Sequence, residues 1–487
     1  GSSFDSSYTD DQGNTEDATT TGGTDQVGQA TSVTDKVAQQ SDDSLQAMGD
    51  SGAGQDSASA DGRAGAAAVS AKQNRASFDL SNKLAYSVQP EDGTSAVVLS
   101  GATIKTAGNV SVSAEEIVTL DIITGSAAGG FVGVGAGVTV VTVNSAVRAR
   151  LGGATTAGGT VSVSANGERK GDLLAVGVQA GAVAVGATVN VVNDRGQQLA
   201  EVTDGGSVDG ASLLSVTATN DQDWDTATYS VVAGAAAVGV NFSRLNLDDG
   251  DASTDETIAR IGTGAEIGQT EQVGAVSILA NSIVDADSTT YGVTAGLVGV
   301  GINFAYIDVT PQVLAEIGNG AKLGATGAVS VTASSEMDAD AFLLSVSVGA
   351  VGIGSSYARA IVSPDVTAAL GSSITADIQG LSITATHNTD VAGDRGAKAE
   401  AQAGSGGIVG GAGATPTARA NADVAALIGT GGDIDANGGA IMIRSDLRNR
   451  ADADALAVSV GAVAVGASVA TAEANGSSVA ESFGTIT

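Results

Sequence analysis

Seven times from Val110 onward the chain returns to one unit of about fifty residues, and no other feature constrains its fold as strongly. A fixed period of this length marks a repeat architecture, in which each unit buries its apolar face against its neighbours. Every unit opens on a short alternating segment: VSVSA at Val110 and Val161, LSVTA at Leu214, VSILA at Val276, VSVTA at Val329, LSITA at Leu381 and IMIRS at Ile441. A block of the type GAVAVG follows. In six units its first glycine lies twenty positions after the opener, at Gly130, Gly181, Gly234, Gly296, Gly349 and Gly461, whereas the sixth unit places Gly406 twenty-five positions after Leu381. Another glycine comes five later in every unit, among them Gly186, Gly354 and Gly411.

Strand is the state these residues favour. The 487 residues include 69 Gly and only 3% aromatics, and each interior glycine costs a helix about 1 kcal/mol relative to Ala. The openers alternate apolar and polar with the period of a strand that has one buried face. The glycine blocks are small or apolar at nearly every position, too long for one ordinary strand, so their glycines are expected to bend the chain. Phrases such as ARIGTGAEIG from Ala259, AEIGNGAKLG from Ala315 and ALIGTGGDID from Ala426 read as corners. The expected fold class is therefore all-β, a parallel β-solenoid (β-helix) of seven repeats with equivalent openers stacked about 4.8 Å apart. Residues 1–57 are a polar acidic arm, 58–109 a degenerate capping repeat, and 110–487 the repeat region.

Composition bounds the partners. With 54 acidic against 21 basic residues the net charge is −33, which opposes binding to nucleic acid or an anionic membrane surface. There is no cysteine, so disulfides and thiolate metal sites are excluded. No signal peptide or lipidation motif opens the chain. Uncharged runs such as 122–147 and 173–192 are long enough to cross a bilayer as helices. Their Gly, Val and Thr content and acidic flanks argue against it, and no membrane insertion is expected.

Openers, glycine blocks and IGNGA turns together resemble the β-strand repeats of large secreted bacterial surface proteins, the filamentous-haemagglutinin-like adhesins and leukotoxin-type repeat proteins. The resemblance covers about residues 60–487. It implies a parallel solenoid, export from the cell, and a role in adhesion, fibre formation or toxicity.

Chemistry-bearing residues are few. The sole histidine, His387, is expected at a surface or turn, and no GxSxG elbow supplies a partner serine. Aspartate stands eleven positions after the opener in six units: Asp121, Asp172, Asp225, Asp287, Asp340 and Asp452. Asp223, Asp285 and Asp338 precede three of these by two, which puts both carboxyls of each pair on one strand face. Stacked in register they form a column. Such a column either binds calcium, a hard ion that takes several carboxylate oxygens, or is a solvated border that blocks edge pairing. The insert around Asp248, Asp249, Asp251 and Asp255 is a second calcium candidate. Trp224, Tyr291, Phe304, Tyr306 and Tyr357 are expected to fill wider parts of a thin core.

No catalytic set emerges, so the expectation is not an enzyme. It is an extracellular structural or adhesive fibre component that associates with itself head to tail, through its polar arm or an open end. The alternatives are the passenger region of a repeat toxin or haemolysin, a monomeric calcium-stabilised adhesin, and a polysaccharide-degrading enzyme with a groove lined by Asp, Lys or Arg.

Overall fold

The computed structural model describes residues 8–9, 15–16, 93–247, 256–389 and 395–487. In the unit Gly1–Pro90 the described residues are two short antiparallel strands, Tyr8–Thr9 and Thr15–Glu16. The remainder of the expected polar arm, most of the capping repeat, and the acidic insert with Asp248, Asp249, Asp251 and Asp255 lie outside the described residues.

In the unit Glu91–Thr487 every pairing is parallel and joins one repeat to the next. Val110 stands opposite Val161, which stands opposite Leu214, then Val276, Val329, Leu381 and Ile441. The openers therefore set the register, as a half-buried strand must: a slip by one residue would turn every apolar side chain outward. The strands are long. The first repeat is one extended strand over Val110–Leu151 and the second over Thr160–Val202, the ladder between them skipping only Phe131 and Ala182 at the tip.

Each long segment doubles back near its glycine block, so that a first arm faces a second. Ser145 donates to Glu116 at 2.8 Å and Thr139 to Thr124 at 2.8 Å, while Thr226 and Ser243 bond at 3.0 Å in the third repeat. The midpoint of each pair falls within two residues of the first glycine of the block. In later repeats the strand breaks there, between Val329–Val348 and Val351–Val362 and again between Ala397–Gly406 and Val409–Ile428. At this tip the rows stack tightly. A Cβ on Gly181 would lie 2.6 Å from the Gly130 carbonyl oxygen, one on Gly296 2.2 Å from that of Gly234, and one on Gly407 2.0 Å from that of Gly349. No side chain fits.

Three sequence expectations are corrected here. The fold class was an open parallel β-solenoid of seven repeats; the short strands instead form an eight-stranded, all-parallel sheet of their own, with the longer strands outside it. Its members are Thr103–Thr106, Ala154–Ala157, Ser207–Asp209, Glu266–Ile267, Lys322–Gly324, Thr375–Asp377, Asp433–Asp435 and Thr485–Ile486. Eight parallel strands are the number and direction of a TIM-like closed barrel. Here the pairings run in a line from the first of these strands to the last, and no helix separates them among the described residues. The IGTGA-type phrases, read as corners, contribute these strands: Gly264, Gly320 and Gly431 take positive φ of 65°, 68° and 70°, and a paired strand follows each. A solitary two-residue strand carries no periodicity of its own, and only its neighbours make it a sheet.

The second correction concerns the sixth repeat. The tip glycine there is Gly407 rather than Gly406, because Val348 pairs with Gly406, and Gly354 pairs with Ala412 rather than Gly411. The third is His387, which is buried at 1% exposure and not at a surface. Ser335 Oγ lies 2.8 Å from its Nδ1, and burial pulls its pKa down to about 4.

The apolar core lies away from the tips. Val161, Val163, Leu214, Val216, Ile278, Ile261, Ile267 and Ile317 are fully buried where the arms meet the eight short strands. Alongside them is one buried ion pair: Arg169 Nε donates to Asp194 Oδ2 at 2.8 Å, Trp224 Nε1 donates to the same oxygen at 3.1 Å, and Arg169 Nη2 donates to Asn220 at 2.8 Å.

Candidate interaction surface and acidic groove

Toward the tip the usual distribution of side chains is reversed. In each repeat a stretch contains no charged residue: 122–147, 173–193, 226–243, 288–307, 341–358, 401–418 and 455–472. Within it many inward positions are small or polar: Thr188, Asn190, Thr228, Asn241, Ser243, Thr290, Asn303, Ser345 and Ser356 are all buried, beside apolar ones such as Leu173, Val232 and Leu343. Some of them bond across rows: Asn241 Nδ2 donates to Asn303 Oδ1 at 2.7 Å, Ser288 to Ser243 at 2.8 Å, and Asn190 to Thr228 at 3.1 Å, while Thr188 Oγ1 and Thr290 Oγ1 are buried without a partner among the described residues.

Outward positions carry the bulk. On the second arm Val134, Val185, Val238, Val300 and Ile353 stand in one row. Four positions on, Val138, Val189, Phe242, Phe304 and Tyr357 stand in another. On the ridge Phe131 is 82% exposed, Leu297 66% and Ile408 64%. The first arm presents Val178, Val231 and Val293, also exposed. A scattered exposed Val needs no explanation, but a surface apolar over the first five rows on both arms and the ridge does; the sixth row interrupts it with Gly411 and Thr415 in place of Ile353 and Tyr357.

Aromatic residues border this zone on the outside, which corrects the expectation that they fill the core. Trp224 alone of those named is buried. Tyr229 and Tyr291 stack at 5.3 Å on the first arm. On the second, Phe304 and Tyr357 stack at 5.2 Å, and the Arg359 guanidinium sits 5.0 Å above the Tyr306 ring. These residues alternate with buried Thr290, Asn303 and Ser356 and so face outward.

Below the aromatics of the first arm runs the predicted aspartate column. Asp121, Asp172, Asp225, Asp287 and Asp340 follow one another in register, then Lys398, then Asp452. Asp223, Asp285 and Asp338 form the second column beside it. Lys398 was missed by the sequence reading. The late glycine block of the sixth repeat is the signal that could have found it, since it shifts that repeat's equivalent of Asp340 down the chain. Lys398 Nζ lies 3.4 Å from Asp340 Oδ2, and that carboxylate raises its pKa.

The first column, from Asp121 to Asp340, floors a groove of about 650 Å³ walled by Leu174, Tyr229 and Phe342, with Lys398 and Glu400 at one end. Burial first, and the neighbouring carboxylates Asp285, Asp225 and Asp340 next, push Asp287 up to about 7. Asp338 rises to about 6 for the same reason, against the Gly396 N–H that it accepts at 2.9 Å. Asp225 and Asp285 are raised too. The oxygens lie in line rather than around a point: among the described residues no group of three or more acidic or histidine side chains is disposed to hold a metal ion.

His387 and Ser335 form the one serine–histidine contact that the sequence left open. His387 is buried at 1% exposure, and among the described residues its Nδ1 meets Ser335 Oγ while its Nε2 has no partner, so the pair is internal to the fold.

No family model, curated protein or solved structure matches the chain. Nothing in the structure or in these comparisons supports an adhesin or a secreted product, and those two expectations are withdrawn along with the β-solenoid. An eight-stranded parallel set resembles an enzyme fold, which leans against the expectation that the chain is no enzyme, although nothing confirms catalysis.

Proposed function

We propose that this protein is a structural component that works by self-association, its apolar tip region being covered in the assembled state. The carrying observation is the reversal just described: uncharged stretches in all seven repeats, with Val, Ile, Phe and Tyr outward in the first five and Ser, Thr, Asn and Gly prominent among their inward positions. A surface of that kind in water costs about 25 cal/mol for each Å² left exposed, whereas charge is confined to the other end of each row. The net charge of −33 then sets the conditions of assembly. Copies repel at long range at low salt and associate once salt screens the repulsion. Sedimentation velocity tests this: mass should rise above 46.9 kDa with protein concentration, and more steeply in 0.5 M than in 0.02 M NaCl, Debye lengths of roughly 4 and 20 Å. A monomer throughout that range contradicts it.

A second reading rests on the groove. Asp225 and Asp287 stand opposite each other in adjacent rows, and Asp287 holds a proton up to about pH 7 beside Tyr229 and Phe342. A carboxyl kept protonated near neutrality is the general acid that glycoside cleavage requires. Release of reducing sugar from acidic or neutral polysaccharides, abolished in Asp287→Asn with the fold intact, would establish this reading, and no release from any glycan would end it.

A further inference from the structure

We propose that the occupant of the apolar zone is a second copy of this chain, packed face to face through the second arms with both tips pointing the same way. The proposal rests on the self-association reading above and commits it to one face. Three observations select that face.

The first is charge. The first arm ends at its base in Asp121, Asp172, Asp225, Asp287 and Asp340, with Lys398 the single cation in register. Two such faces laid together would set column against column of one sign. The base of the second arm is mixed: Arg260 pairs with Glu201 at 2.7 Å and Arg244 lies 3.9 Å from Asp308, with Arg359 on the same carboxylate. Glu201 is 0% and Asp308 14% exposed beneath these arginines, so two copies of that border meet with their charges already paired and no column of one sign between them.

The second is area. About seven rows spaced 4.8 Å apart, each with about ten residues of 3.3 Å rise, give a face on the order of 1,000 Å². A stable interface needs about 800 Å² from each partner. The face is flat, since Val134, Val185, Val238, Val300 and Ile353 repeat in strict register, and two sheets of β-branched residues pack about 10 Å apart.

The third concerns the bilayer as an alternative. The aspartate column borders the apolar stretch of the first arm, where a surface seated in a membrane favours Lys and Arg. A second copy makes no such demand.

A two-fold axis along the arms places the fourth of the seven rows on itself, so Val300 of one copy meets Val300 of the other. The chain has no cysteine, and a disulfide formed by Val300→Cys is therefore unambiguous. Under mild oxidation at a concentration where the parent protein associates, Val300→Cys should run as a covalent dimer, as should Ile302→Cys, which guards against misfolding of one variant. Val293→Cys, in the same row on the first arm, should stay monomeric. Val300→Glu should shift the association midpoint at least tenfold with an unchanged circular dichroism spectrum. Cross-linking at Val293 in place of Val300 and Ile302, or equally at all three, overturns the face while leaving self-association standing. Absence of any assembly overturns both. Flotation of the monomer with phosphatidylcholine vesicles, without a covalent dimer, overturns the proposal in favour of a lipid surface.

Discussion

Two adjacent glycines in the sixth repeat make opposite predictions. A Cβ on Gly407 would lie 2.0 Å from the Gly349 carbonyl oxygen, 3.0 Å from its carbon and 3.1 Å from the Ala350 oxygen, whereas one on Gly406 would meet nothing within 4 Å. All three obstacles to Gly407→Ala are backbone, held by the ladder that pairs Val348 with Gly406 and Val351 with Val409. No rotamer change relieves them, and the tip must open by about an ångström. Overpacking of that kind costs about 2–3 kcal/mol. Gly406→Ala meets no obstacle and restricts the unfolded chain, which stabilises by about 0.4–1 kcal/mol. Urea unfolding followed by circular dichroism measures both, the shift in midpoint being converted with the common slope. Equal effects at the two positions, or a loss at Gly406→Ala and none at Gly407→Ala, would refute the assigned register of the tip column. The same test at Gly186, whose Cβ would meet the flexible Gln179 side chain at 2.1 Å and Val232 at 2.8 Å, should give a smaller loss for alanine than for valine.

Asp194→Ala leaves the Arg169 guanidinium buried without its partner and should cost about 3–5 kcal/mol, read from the same urea curves. Asp287 carries a native pKa of about 7 against about 3.9 unfolded. The native state therefore binds more protons between these values, and this contribution to stability is present below about pH 4 and lost as pH rises to about 7. Asp287→Asn should flatten that part of a melting-temperature profile and melt higher than the parent at pH 8. His387 acts in the opposite sense: its native pKa of about 4 lies below the ordinary 6.5, so its contribution is present above about pH 6.5 and lost as pH falls toward 4, and His387→Gln should remove that slope. Millimolar calcium should raise the melting temperature at pH 8, where the columns are charged, and do so less at pH 5 and in Asp287→Asn; no change at pH 8 returns the columns to a solvated border.

Much of the architecture could be read from the chain because an in-register repeat writes its neighbours into its own spacing. The openers predicted the pairing of Val110 with Val161 and Leu214, and the aspartate count predicted the column from Asp121 to Asp340. Three things were not legible. Glu266–Ile267 and its equivalents are too short to show a period, so a sheet of eight strands read as a set of corners. His387 ends an opener strand with no alternation left to place it, and its burial follows from stacking against Ser335, fifty-two residues away. The reversed tip was hidden for another reason. Where both arms are small or apolar at nearly every position, alternation no longer tells inside from outside, and only Asn303 facing Asn241 while Phe304 faces solvent reveals which is which.

That reversal can be measured directly. Ile353, 46% exposed, and Ser356, fully buried, lie three residues apart on the second arm and point to opposite sides. With no native cysteine to interfere, the rate at which a thiol reagent modifies Ile353→Cys and Ser356→Cys can be compared in dilute and in concentrated protein. Ile353→Cys should react as fast as an exposed thiol when dilute and become protected as copies associate, while Ser356→Cys stays protected at every concentration. Fast labelling of Ser356→Cys with protection of Ile353→Cys in the dilute monomer would mean that the apolar side chains face inward after all, and the apolar surface would not exist.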